Sequence, residues 1–419
     1  MRTSVALILS GLIFMFSCVT QKQPGTKTSA LKYNPSGFVL HPKFKVFHES
    51  NQNTKLYLKL FTDELRFSSA NKDRIKQSLI KVNYKITNTI RSKDVIDSAQ
   101  TVITLKYIEG QTSMVSFFKI KRPPLEEYFI EVNLSDVYSN RKSQSFIRVD
   151  NSEENNSQNY ISLIKKNLKP VFNEYFKSND TMLIKYKDQL INKLYVSYYN
   201  EIFEPAEKPY VTVNQQTFKL KADSVWTVDV QNNAEFKASK DGLYIIRADS
   251  TQLKGIMKVK FKNSYPLISR SSELIETLRY LLRDNEYEKL KSSDNKKLSI
   301  DNYWISIAGN SEKAGELIKI WYNRATYSNF YFTSYKEGWK TDRGIIYMVI
   351  GPPDDIQHFN DAEKWIYINT KEDKKAEFIF VQQFNSISNN DFTLIRDNKY
   401  EPIWSKALRS WRSGIVFNY

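Results

Sequence analysis

Cysteine is almost missing from this chain: Cys18 is the only one in 419 residues. A single thiol excludes an internal disulfide framework and any multi-thiolate metal site. Histidine is scarce too. His41 and His48 stand early and His358 late, which argues against a histidine-built zinc site, so no metal is expected. Twelve glycines in all leave little material for phosphate-cradling loops, and no such loop motif occurs. The G-x-S-x-G elbow of a serine hydrolase is absent as well. No cofactor is expected. The longest apolar run near the start, residues 5–16, is too short to span a bilayer comfortably.

What is present begins with that run. Arg2 precedes it, and Met15-Phe16-Ser17-Cys18 closes it. This reads as a secretory signal peptide over residues 1–17. A small residue before a lone cysteine resembles a bacterial lipobox, so Cys18 is the expected lipidation site. The alternative is an ordinary signal peptide whose last residue happens to be cysteine. Residues 18–35 are polar, hold Pro24 and Gly25, and read as a flexible tether. No acidic cluster follows Cys18, which points to a lipid anchor in the outer membrane facing the periplasm. The net charge of +16 suggests an anionic neighbour: a lipid headgroup, a glycan or lipopolysaccharide, or an acidic protein face. It reads equally well as a lysine-rich solvated surface. Export argues against nucleic acid as the partner.

Residues 36–150 alternate apolar and polar positions in short segments: 56–60, 82–86, 102–105, 114–120, 128–132 and 146–149. Period-two patterning with turn residues between predicts an antiparallel β-sandwich of the immunoglobulin-like kind. A polar stretch, residues 150–157, separates it from a second set over 157–265: 182–184, 194–196, 210–213, 218–220, 225–228, 243–246 and 256–261. Asp241-Gly242 is a hairpin signal. A second sandwich is expected. Tyr and Phe at alternating positions suit a core better than a carbohydrate platform.

Residues 266–419 read as an α+β domain, helices packed on a small antiparallel sheet. Ser271-Ser272-Glu273 opens a helix with a serine cap and an acid in the first turn. Asp301-Asn302 starts a second helix and Asn310-Ser311-Glu312 a third, with Leu317, Trp321 and Ala325 on one stripe. Segments 365–368, 378–381 and 392–395 supply strands, and the tail holds Trp404, Trp411 and Phe417. The most specific stretch is Gly338-Trp339-Lys340-Thr341-Asp342-Arg343-Gly344, followed by six apolar residues, 345–350, and by Gly351-Pro352-Pro353-Asp354-Asp355. It predicts a turn, a buried strand and a second turn. Arg343 is expected to pair with Asp342, Asp354 or Asp355.

This stretch resembles the GWxTD-domain family of bacterial envelope proteins, frequent in the Bacteroidota. The matching residues are Gly338, Trp339, Thr341, Asp342, Arg343 and Gly344, then Tyr347, Gly351, Pro352, Pro353 and Asp354, and finally Trp365 and Tyr367. The resemblance covers roughly the last third of the chain and implies no settled activity. The Gly351-Pro352-Pro353 turn with Trp365-Ile366-Tyr367 also looks like the small lipoprotein fold that accompanies outer-membrane protein assembly, by analogy alone.

Three functions remain in play. The first is a non-catalytic envelope scaffold that docks a protein partner. The second is a glycan- or lipopolysaccharide-binding module. The third is a hydrolase built on Asp342, Asp354 and Asp355 with His358 near by. On a strand, Asp342 and Asp354 would stand about 20 Å or more apart, too far to act on one bond. No catalytic residue is therefore assigned.

Overall fold

The computed structural model describes residues 40–69, 75–90, 92–151, 156–176, 180–187, 190–200, 203–213, 221–230, 234–252, 254–262, 264–370, 373–383 and 387–419. Cys18, the expected leader 1–17, the expected tether 18–35, half of the polar 150–157 stretch and the expected strand at 218–220 lie outside the described residues. Within them the chain is a sheet-rich multidomain protein, with five antiparallel sheets and six α-helices gathered in the C-terminal region.

The first unit contains β1 (Lys43–His48), β2 (Asn53–Phe61), β3 (Gln77–Thr87), β4 (Val95–Lys106), β5 (Ser113–Lys121), β6 (Glu127–Asp136) and β7 (Lys142–Asp150). They form a β1-β2-β5 sheet and a β4-β3-β6-β7 sheet. Alternation sets the faces: in β2, Leu56, Leu58 and Leu60 are buried while the residues between them are partly exposed. These leucines share one apolar cluster with Ile80, Val82 and Ile86 of β3 and with Ile130, Val132 and Leu134 of β6, so both sheets face one core.

The second unit holds β8 (Tyr160–Ile164), β9 (Met182–Tyr186), β10 (Lys193–Tyr199), β11 (Ser224–Asp229), β12 (Glu235–Phe236), β13 (Gly242–Arg247) and β14 (Ile256–Lys260). Its sheets run β11-β10-β13-β14 and β12-β9-β8, again around a common cluster that includes Tyr160, Ile184, Val196, Phe236 and Tyr244. Two expectations fail here. Residues 210–213 form no strand. Asp241-Gly242 is not a hairpin turn, because β12 pairs with β9 and β13 with β10 and β14. The glycine is needed for another reason: at φ +139° its Cα lies so near Tyr199 O and the Tyr198 ring that a Cβ would clash.

The C-terminal unit contains α1 (Ser271–Thr277), α2 (Asp284–Ser292), α3 (Lys296–Ala308), α4 (Ser311–Phe332), α5 (Asp342–Val349), a sheet of β15 (Asp355–His358), β16 (Ala362–Asn369), β17 (Lys374–Gln382) and β18 (Phe392–Leu394) in sequential order, and α6 (Glu401–Arg412). Asn310 caps α4 through its side chain, accepting from Lys313 N at 2.9 Å. Helix α3 begins at Lys296, earlier than Asp301, because Asn295 caps it. At α1 the cap position is Arg270, not a serine, and Glu273 accepts the Arg270 N–H. Trp304, Trp321, Trp365, Trp404 and Trp411 are all fully buried in this unit's core.

The main correction concerns residues 345–350. They are not a strand: α5 runs through them, from Asp342 to Val349. An unbroken apolar run fits any element buried on all sides, and its period cannot separate helix from strand. Here the deciding signal lies upstream, where the Thr341 hydroxyl accepts the Gly344 N–H at 3.0 Å and caps the helix. Gly351 (φ +110°) then takes the left-handed conformation that ends it.

Candidate functional site

The signature folds as a single turn of 3-10 helix, Gly338–Lys340, running straight into α5. Two glycines make this possible by letting three backbones touch. A Cβ on Gly338 would lie 1.9 Å from Ser328 O of α4, and one on Gly344 would lie 1.9 Å from Gly338 O. Helix α4, the turn and α5 are thus stacked with no side chain between them. Thr341 locks the stack: its hydroxyl donates to Gly338 O at 2.8 Å while it caps α5. Trp339 is buried, and its N–H donates to the Asn329 side chain at 3.1 Å. Asn329 in turn donates to Pro266 O at 3.0 Å, tying α4 to the chain entering the unit.

The charged pair of the signature is equally committed. Asp342 is buried and accepts from Leu394 N at 3.1 Å and from the Arg396 guanidinium. Burial pushes its carboxyl up from the usual range, and Arg396 opposes that shift. Arg343, 4% exposed, pairs with Glu363 at 3.3 Å and donates to Asn390 O at 2.9 Å and to the Asn390 side chain. Its guanidinium lies 4.0 Å from the Phe392 ring centre and 5.2 Å from that of Phe332. The expected partners Asp342, Asp354 and Asp355 are therefore replaced by Glu363, twenty residues downstream. Glu363 also accepts the Trp365 indole N–H at 3.3 Å.

The remaining signature residues surround the far end of α5. Tyr367 donates its hydroxyl to Gly351 O at 2.9 Å. Tyr347 packs its ring 5.7 Å from Phe332. Pro353 is buried and Pro352 half-buried. Asp354 and Asp355 are exposed, and Asp354 accepts the Ile368 N–H at 2.7 Å, which anchors the turn onto β16. Since α5 rises only about 1.5 Å per residue, the strand-based separation of Asp342 and Asp354 does not apply. Each carboxylate nevertheless serves its own backbone partner rather than a shared point. His358, at the end of β15, lies 3.8 Å from Glu363 of β16.

Several residues that complete the arrangement carry no motif of their own. Arg324 is buried on α4 and donates to Met348 O at 3.1 Å and Phe417 O at 3.3 Å, so a cation closes the C-terminal end of α5. Burial lowers its pKa to about 10, leaving it charged at neutral pH. One signal was available: Arg324 continues the Leu317–Trp321 stripe at helical spacing, a charge on an apolar face. Arg396 does more than neutralise Asp342. It also donates to Glu207 O at 2.8 Å and to Lys208 O. Together with Ala206 N→Lys340 O at 2.8 Å, these bonds bind the segment around residues 205–208 to the signature.

Two concavities border this framework. One, of about 410 Å³, lies where all three units meet and includes Lys45, Phe146, Glu174, His358 and Phe392, with Glu363 shared with Arg343. The other, of about 680 Å³, lies between the 205–208 segment, residues 279–284 and α6. Among the described residues no cluster of potential metal ligands occurs, and no helix is long and apolar enough to cross a membrane.

Sheet-rich units ending in a helix-and-sheet domain, with the signature buried as an internal brace, define the class. Residues 242–413 match the GWxTD domain model, so the chain carries a GWxTD domain over that span. The matched segment takes in β13 and β14 as well as the helices. No curated protein matches the chain. Among solved structures, a putative beta-galactosidase from Bacteroides fragilis overlaps 27% of this chain at 13% identity and a TM-score of 0.17; the overlap spans 18% of that chain's length. CBD12 from CALX1.2 overlaps 47% of this chain and 74% of its own at 12% identity and a TM-score of 0.14.

Proposed function

We propose that the protein is a lipid-anchored envelope component that works without catalysis, as a scaffold or assembly module at the outer membrane. Cys18 carries the anchor, and residues 18–35 form the tether. Each pair of sheets is an immunoglobulin-like β-sandwich that sets reach, and the GWxTD domain docks a protein partner. The observation that carries this reading is that the polar groups of the signature are spent on holding α4, α5, the sheet and the 205–208 segment together. Such a motif serves a shape rather than a reaction. A further support is β4, whose twelve residues form the outer edge of their sheet among the described residues, with Val95, Ile96 and Val102 exposed; an open edge of that length suits contact with another chain.

The test is recovery of the tagged full chain from detergent-solubilised envelope after mild cross-linking. A stoichiometric protein partner is expected. Recovery of lipopolysaccharide or glycan with no protein partner would replace this reading with the second one. Cys18→Ala should move the protein from the membrane fraction to the soluble fraction.

A further inference from the structure

The 680 Å³ concavity has a lining with a strong charge bias. It includes Lys208, Arg279, Arg283, Arg409 and Arg412, five cations, against Glu207 and Asp284, two acids. Half-buried Leu408 adds apolar surface, while Leu281 and Leu282 lie buried behind it in the core. One wall is the 205–208 segment, held in place by Tyr280, which donates to Ala206 O, and by Arg396 and Lys340 of the signature framework. The concavity is thus built by the same bonds that define the domain.

Its chemistry toward carboxylates is already visible within the chain. Arg412 grips Glu286 with two parallel bonds, 2.7 and 2.8 Å. This grip, assisted by Arg283, pushes the Glu286 carboxyl down to about 2. Arg279 reaches the exposed Glu204 at 3.4 Å. Arg283 and Arg409, both exposed, form no ion pair among the described residues. Two exposed forked cations therefore stand beside Leu408, Arg409 with no carboxylate partner among the described residues and Arg283 with only a longer-range pull on Glu286.

We propose that this basin is the docking site for an acidic segment of a partner protein, whose carboxylates bind Arg283 and Arg409 and whose apolar side chains pack against Leu408. The proposal rests on the contact-based function above and gives its partner a chemistry. A protein segment fits better than a phosphorylated lipid for two reasons. Glu207 and Asp284 would repel a dense phosphate charge, whereas a peptide offers them its own N–H groups. A cavity of 680 Å³ is also of the size that takes a few side chains.

The experiment measures binding of a fluorescein-labelled glutamate- and leucine-rich peptide to the purified full chain in detergent, by anisotropy. The Arg283→Gln/Arg409→Gln double variant should bind at least about tenfold more weakly, and binding should fall with salt. Lys85→Gln/Lys106→Gln, with the same loss of charge far away in the first unit, should bind as the unaltered chain does. An equal loss in both variants would show that net charge alone attracts the peptide and would overturn the proposal. So would absence of peptide binding alongside binding to phosphatidylglycerol vesicles. If the double variant loses peptide but keeps its cross-linked envelope partner, the basin assignment fails while the scaffold reading stands.

Discussion

Replacing Gly344 by alanine inverts an ordinary rule. Inside an α-helix, glycine to alanine normally stabilises by about 0.5–1 kcal/mol, since glycine loses more backbone freedom on folding. Gly344 sits in the first turn of α5, yet its added Cβ would meet Gly338 O at 1.9 Å and Trp339 Cα at 2.9 Å. Neither atom belongs to a side chain that can swing away. Relief requires α5 to move off the turn, and the turn in its place is pressed against Ser328 of α4. Overpacking of this kind costs about 3 kcal/mol, which for a unit of this size lowers its melting temperature by about 6–12 °C. Gly315 is the internal control: it lies exposed on α4 with nothing within 4 Å of its Cβ position. Gly315→Ala should raise the melting temperature by about 2–3 °C. Six of the seven tryptophans lie between residues 304 and 411, so tryptophan fluorescence during thermal unfolding reports this unit selectively. Opposite signs for the two variants are expected. A neutral or stabilising Gly344→Ala would refute the stacked-backbone account.

Thr341→Val removes both the cap of α5 and the bond to Gly338 O, and should cost about 2 kcal/mol in urea unfolding followed by tryptophan fluorescence. Arg396→Ala should free the 205–208 segment, seen as faster hydrogen exchange at the Ala206 amide and its neighbours with little change in β1–β7. Glu286 predicts an acid limb. Its folded pKa, about 2, lies below the ordinary carboxylate value of 4.5, so its stabilisation is complete above pH 4.5 and is lost as pH falls toward 2. The stability gap between the unaltered chain and Glu286→Gln should therefore be wide at pH 6, narrow below pH 4.5 and close only below about pH 2.

How much of this could be read from sequence varies with the physics of each part. The strands over 56–60, 82–86 and 128–132 were legible because one face of each is buried and alternation records that face directly. Helix α5 was not, because it is buried on every side and leaves no period to read; the Thr341 cap was the usable clue. The partners of the signature were illegible for a different reason. Asn329, Glu363, Asn390 and Arg396 reach it only through tertiary folding, and no local pattern distinguishes Glu363 from the nearer Asp354 as the mate of Arg343. The importance of the 205–208 segment was hidden likewise, since it is irregular chain that acquires its place from Lys340 and Arg396.

The central claim is that the signature is an internal brace, and Arg343→Met tests it most directly. Methionine keeps apolar bulk between Phe392 and Phe332 but leaves Glu363 without its guanidinium. Urea unfolding followed by tryptophan fluorescence should show the C-terminal unit destabilised by about 3–5 kcal/mol, with part of the loss recovered when Glu363→Gln is added. An unchanged unfolding midpoint, coupled to loss of partner capture from the envelope, would make Arg343 a recognition residue and contradict the account.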